Sequence, residues 1–287
     1  MTTLVECVPN FSEGRNAGIV HSIEEAIRSA GAAILDRTSD HDHHRSVITF
    51  AAPAEKVGEA AFRGVCQAVT SIDLRTHLGV HPRIGAADVV PFVPLKGVTL
   101  EDCARIARET GRRIWEELRV PVYLYEAAAL RPECRNLADI RRGRVAEPDF
   151  GNIRLHPSAG AVVVGARKFL IAFNVNLATP DLEVARRIAR AVRQSSGGLP
   201  CVKAMGVLLA SRNQAQVSMN LTDFEQTPIH VAFEAVRAEA ARYGVAVAGT
   251  EIIGLVPQKA LEVTAAWYLQ VENFVAGVVL EHRLENR

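Results

Sequence analysis

The nine histidines are spread unevenly, and two clusters of them bring together residue types suited to moving protons or holding ions. The first is Ser39-Asp-His-Asp-His-His-Arg45, in which Asp40, His41, Asp42, His43 and His44 precede Arg45. Its nitrogen and oxygen donors suit zinc or manganese, and Asp42-His43-His44 spells the signature of a group of manganese phosphoesterases. That chemistry also needs aspartates at separate strand ends, which cannot be placed here. The same string reads equally as a polar turn whose aspartates cap the backbone, with Arg45 as an anchor, or as a loop that touches substrate.

In the second cluster, His77-Leu-Gly-Val-His-Pro-Arg-Ile-Gly-Ala-Ala-Asp88, the spacing of His77 and His81 imitates a helical zinc pair. Pro82 argues against a shared helical face, because it pushes the residue before it toward extended backbone. His81, with Arg83 and Asp88 near in sequence, therefore looks more like a general acid/base than a ligand. The plainer alternative is a hydrogen-bonded loop histidine.

Two further stretches carry binding chemistry. Gly151, Asn152, Ile153, Arg154, Leu155, His156, Pro157, Ser158, Ala159 and Gly160 form a run without helical periodicity, bounded by glycines that permit close backbone approach to a flat ligand. A plain interdomain linker fits the same run. Arg167 and Lys168, at the start of an apolar strand, suit a carboxylate. No Gly-x-Ser-x-Gly, Gly-x-Gly-x-x-Gly or His-Glu-x-x-His occurs, which removes the usual warrant for a nucleophile-elbow hydrolase, a Rossmann cofactor site or a zincin protease.

The elements that must position these residues alternate between short apolar runs and longer amphipathic ones. Leu4 to Val8, Ala32 to Asp36 and Ser46 to Phe50 read as strands, and Ile19, Val20, Ile23, Ala26 and Ile27 repeat at helical spacing. Pro53 suits a helix start. Thr99 with Asp102 makes a capping pattern for a helix reaching about Glu117. After a strand from Val120 to Tyr125, a basic crossover carries Arg131, Arg135, Arg141, Arg142 and Arg144. The alternation resumes with a strand from Phe169 to Asn174, a helix from Pro180 to about Arg193, strands at Val202 to Leu209 and Gln214 to Asn220, and a helix from Pro228.

With 287 residues, of which 48% are hydrophobic, the chain has material for a large core or two, and disorder is excluded. A faint repeat of Ala61-Phe62 before Val93-Pro94 in Ala232-Phe233 before Val256-Pro257 favours two related halves. The expected fold is α/β of the α+β sandwich type: two similar subdomains, 1–177 and 178–287, each a mostly antiparallel sheet with helices on one face, and a ligand groove between them. Lys and Arg number 33 against 32 Asp and Glu, a net charge of +1 that provides no field for nucleic acid or an acidic membrane. Five scattered cysteines, no signal-like start and no long apolar run predict a cytoplasmic protein.

Taken together, Leu4-Val-Glu-Cys-Val-Pro-Asn-Phe-Ser-Glu-Gly14, His44-Arg-Ser-Val-Ile-Thr-Phe50, Gly79-Val-His-Pro-Arg-Ile-Gly-Ala-Ala-Asp-Val-Val-Pro-Phe-Val-Pro94, Gly165-Ala-Arg-Lys-Phe-Leu-Ile-Ala-Phe-Asn-Val-Asn-Leu177, Ala215-Gln-Val-Ser-Met-Asn-Leu221 and Gly254-Leu-Val-Pro257 resemble the glutamate formimidoyltransferase family. In animals this domain is fused to a cyclodeaminase; here the resemblance implies a free-standing transferase. It implies transfer of a formimidoyl group from N-formimidoyl-L-glutamate to N5 of tetrahydrofolate, a step of histidine breakdown, with folate as co-substrate and no metal. It also implies two α/β subdomains and a homodimer. His81 matches the family's catalytic histidine, and Gly151 to Gly160, within a crossover at 146–165, matches its folate-binding segment. Asp40, His44, Arg45, Arg83, Asp88, Arg167 and Lys168 are then candidates for contacting the substrates. Against this stand a metal-dependent phosphoesterase built on Asp42-His43-His44 and a noncatalytic folate-binding protein.

Overall fold

A computed structural model describes residues 3–41, 43–77 and 83–285. His81 and Asp42 lie outside the described residues. The chain divides into two units, Met1–Lys168 and Phe169–Arg287.

In the first unit, β1 (Leu4–Cys7) and β2 (Asn10–Phe11) lead to α1 (Ala17–Arg28). Asn16 caps this helix by accepting the Gly18 and Ile19 N–H groups at 3.0 and 3.2 Å, and Val20, Ile23 and Ile27 make its buried stripe. The hairpin of β3 (Ala33–Asp40) and β4 (Arg45–Pro53) pairs antiparallel from Ala33 with Ala51 to Asp40 with Arg45, so His41, His43 and His44 of the first cluster lie in its turn. α2 (Ala54–Ser71) follows directly from Pro53. Next come β5 (Ala87–Lys96) and α3 (Leu100–Arg113), which opens with the Thr99–Asp102 capping box. This helix was expected to reach Glu117; it leaves α geometry at Arg113 and closes in one π turn, Ile114–Leu118, ended by Arg119 in the left-handed region at φ 57°. β6 (Val122–Glu126), the short α4 (Leu137–Arg141) and β7 (Val162–Ala166) complete the unit.

The strand order is β1-β4-β2-β5-β7-β6, with β3 beside β4. All pairings are antiparallel except β5–β7 and β6–β7. Period-two alternation sorts the faces: Val122 and Leu124 join the core under α1, α2 and α3, whereas Tyr123 and Tyr125 join a second cluster that takes in Ile140 of α4.

The second unit begins with β8 (Ile171–Leu177), then α5 (Leu182–Val192), β9 (Val202–Leu209), β10 (Gln214–Leu221), α6 (Ile229–Arg242), β11 (Val247–Ile253), α7 (Gln258–Tyr268) and α8 (Leu280–Glu285). Its sheet is antiparallel throughout, in the order β11-β8-β10-β9. Ile171, Phe173, Val175 and Leu177 alternate into the core with Ala215, Val217, Met219 and Leu221. The strand β8 thus belongs at the centre of the second sheet. This moves the expected division after residue 177 back to Lys168, because the apolar run from Phe169 has its hydrogen-bonding partners in β10 and β11 rather than behind it in the first unit.

Candidate functional site

The hairpin turn and the loop that opens α1 face one another in the first unit. Within the turn, His43 donates its backbone N–H to Asp40 Oδ1 at 2.8 Å and its Nδ1 lies 3.0 Å from Asp40 Oδ2. His44 takes the left-handed conformation, φ 48°, and is buried. Its Nδ1 accepts the Gly14 N–H at 3.2 Å and lies 3.4 Å from Glu13 Oε1. The same Glu13 oxygen accepts the N–H groups of Arg15 and Asn16, at 2.7 and 2.9 Å. Burial lowers the pKa of His44 despite Glu13, so the ring is neutral at pH 7; with Gly14 on Nδ1, its proton sits on Nε2.

His77 packs its ring on His44, centroids 3.7 Å apart. The Arg83 guanidinium lies against His77, 3.1 Å from Nε2, and its Nη2 reaches the His43 carbonyl at 3.5 Å. Burial first, then the Arg83 charge, brings the His77 pKa down to about 4. Arg45, which follows His44, hydrogen-bonds Asn10 Oδ1, and its pKa falls to about 10 through burial and the neighbouring Arg141 cation. Asp88, 2% exposed, accepts the Ile84 N–H at 2.9 Å on Oδ1 and pairs with Arg141 through Oδ2. Both Asp88 oxygens are therefore engaged from within the unit.

The glycine-bounded run docks on the same region through its backbone. Gly85 bridges Gly160; the Ala86 N–H donates to the Ala159 carbonyl at 2.9 Å, the Ala161 N–H to Ile84 at 2.8 Å and the Leu74 N–H to Ser158 at 2.8 Å. A Cβ on Gly85 would lie 1.8 Å from the Ala161 oxygen, and Gly160, at φ 70°, would put one 2.2 Å from the Ile84 oxygen. Inside the run, His156 Nδ1 accepts the Ala159 N–H at 3.1 Å and Asn152 Oδ1 accepts that of Arg154 at 3.0 Å, while Ile153 and Leu155 stand exposed. This segment belongs to the first unit as an ordered loop.

Arg167 and Lys168 do not start a strand: they follow β7 and precede β8. Arg167 hydrogen-bonds the buried Tyr125 and sits beside Glu6, whose carboxyl is pushed up by burial with Arg167 opposing. Tyr125 is itself raised to about 12 by burial.

The sequence reading brought forward Asp40, His44, Arg45, Arg83 and Asp88, and the fold collects them. It did not foresee Glu13, His77 in tilted ring contact with His44, or Arg141; each is joined to its partner by tertiary contact, leaving no spacing signal. It also missed a polar cluster on the second sheet. There Gln216 donates to Asn176 Oδ1 at 2.8 Å, and Arg212 to Glu251 Oε1 at 2.6 Å, while Asn176 Nδ2 reaches that oxygen at 3.2 Å. Among the described residues no group of three or more His, Cys, Asp or Glu side chains is arranged to hold a metal ion.

Chemically, the first unit sets neutral imidazoles beside a group of guanidiniums, an arrangement that suits an acidic substrate whose protons must be moved.

Residues 4–167 match the model of the N-terminal subdomain of the formiminotransferase domain, and residues 172–284 match the formiminotransferase domain model that follows it. The chain is 48% identical to a glutamate formimidoyltransferase of Thermoplasma acidophilum, covering 99% of this chain and 98% of that one. It is 45% identical to a glutamate formimidoyltransferase of Streptococcus pyogenes, with 96% of each covered. A formimidoyltransferase-cyclodeaminase of Rattus norvegicus is 43% identical over 99% of this chain and 56% of its own length.

Proposed function

The chain belongs to the formiminotransferase domain family, and from that premise we propose that it transfers the formimidoyl group of N-formimidoyl-L-glutamate to N5 of tetrahydrofolate, releasing L-glutamate in histidine degradation. The observation that carries this is identity of 45–48% to glutamate formimidoyltransferases over nearly the whole of both chains. The phosphoesterase and the noncatalytic folate-binding alternatives gain no support from these relatives.

The donor is an amidine, electrophilic once protonated. Attack by N5 on its carbon forms a tetrahedral intermediate carrying three nitrogens: N5, the imino nitrogen of the formimidoyl group and the glutamate nitrogen that leaves. N5 then gives up a proton, the glutamate nitrogen takes one, the bond from carbon to that nitrogen breaks, and the C=N bond re-forms. One histidine near its free pKa of ~6.5 can serve both transfers. In this reading His81 is that shuttle. Arg45, Arg83, Arg167 and Lys168 hold the carboxylates of the amino acid and of folate's glutamyl tail; Asp40 and His44 contact the donor. Asp88, tied to Ile84 and Arg141, braces the loop that follows residue 82. The run from Gly151 to Gly160 takes the folate, its exposed Ile153 and Leu155 offering apolar surface to a flat ring. No step needs a metal, and the active form is a cytoplasmic homodimer.

The test is direct: purified protein with tetrahydrofolate and formimidoylglutamate releases glutamate, and omission of either substrate stops it. Folate binding without glutamate release would overturn the reading in favour of a carrier.

A further inference from the structure

We infer that the second unit holds a separate site for a small planar aromatic carboxylate, built between α6, β11 and the end of α7 and anchored by His230. This goes beyond the transferase reading and does not depend on it.

A cavity of about 930 Å³ opens there, lined chiefly by Phe173, Phe233, Val247, Ile252 and Tyr268, with His230 in its wall. That is near the upper end of the roughly 300–1,000 Å³ usual for small-molecule sites, which likewise combine apolar walls with a few polar groups. His230 is the second residue of α6 and only 6% exposed. Its ring lies nearly parallel to that of Trp267, centroids 4.9 Å apart at 17°. Nδ1 is sealed from solvent and has no hydrogen-bond partner among the described residues.

A buried polar atom without a partner is uncommon, and an unmet N–H costs more than an unmet acceptor. Burial keeps the ring neutral, with a single N–H. The proton therefore belongs on Nε2, the ring nitrogen that is not sealed, so the His230 ring that helps line the cavity carries a single N–H donor. At the rim, Glu234 accepts the Tyr268 hydroxyl at 2.7 Å on one oxygen and pairs with Arg237 at 2.5 Å on the other. The carboxylate is thereby satisfied. The Arg237 guanidinium, 60% exposed and 5.9 Å from the Phe233 ring centre, keeps further donors for an anion. Aromatic walls, one imidazole donor and one rim cation together select a flat apolar body with an acidic group.

2-Naphthoate is a suitable probe, with neutral 2-naphthamide as its control, both titrated calorimetrically into the whole protein. One saturable site per chain is expected. His230→Phe keeps the aromatic shape and should weaken naphthoate at least tenfold; Arg237→Gln should weaken naphthoate about fivefold and naphthamide little. Both variants should keep the wild-type rate of glutamate release. On the wild-type protein, the His230 Nε2 resonance should move on adding naphthoate while those of the other histidines stay. Absence of saturable binding, unchanged affinity in both variants, a still His230 resonance, or competition by formimidoylglutamate or tetrahydrofolate would each overturn the proposal. Should His230→Phe fail to fold, the wild-type resonance decides.

Discussion

Enclosing an imidazole costs its charged form far more than its neutral one, and His77 is where the first unit feels this most. Folded, its pKa is about 4; unfolded it returns to ~6.5. Between those values the unfolded chain binds more protons, so stability is complete above ~6.5 and declines as pH falls toward 4. Melting temperature should therefore be level from pH 8 to 6.5 and then drop, and His77→Gln should flatten part of the drop; an unaltered slope would show that His77 titrates freely in the fold. His44, lowered in the same direction, contributes with the same sign. Asp88→Asn should cost about 3 kcal/mol in urea unfolding, because it leaves the Arg141 guanidinium, 18% exposed, without its counter-charge. A second change, Arg141→Met, should recover much of that loss. For the chemistry itself, His81→Ala should lower the maximal rate by roughly 10² to 10⁴ while folate still binds and the protein still melts cooperatively. Near-normal turnover would leave the proton shuttle without its residue, and the Asp40 to His44 turn would inherit the role.

Elements succeed or fail here according to how local their signals are. Gly85→Ala, with its Cβ 1.8 Å from the Ala161 oxygen, should cost about 2 kcal/mol or more in unfolding free energy and raise the half-saturating folate concentration, since it pries the glycine-bounded run from the strand segment beside it. Stability and folate response equal to wild type would show that the two backbones can separate cheaply. The Thr99–Asp102 box was legible because donor and acceptor are three residues apart, and β8, β9 and β10 were legible as short apolar runs, whereas β11, half-exposed along its length, was not read. What followed α3 was not, since a π turn is set by how Ile114 and Trp115 pack and not by their types. The division of the chain was placed late for a related reason: the β8 strand reads as a strand from either side, and only its pairing says which sheet owns it. In the candidate site, Arg45, Arg83 and Asp88 were found as charges near histidines, whereas Glu13 and Arg141 meet them only across the fold.

Taken whole, the molecule is almost neutral, at +1, so the hold on acidic substrates must come from cations gathered locally, as Arg45, Arg83 and Arg141 are around Asp88. Raising salt should weaken tetrahydrofolate binding, and more so for forms with longer glutamyl tails, as the Debye length falls below ~8 Å. Salt-independent affinity for the polyglutamate, measured by calorimetry between low and high ionic strength, would show that charge plays no part. The seam where Gly85 meets Gly160 has a different reach. Because two main chains touch there with no side chain to act as a cushion, neither loop can be lengthened, shortened or exchanged by itself. Anyone retailoring this enzyme for a new acceptor would have to graft both loops as one cassette, and natural insertions should be found on either side of the seam but never in it.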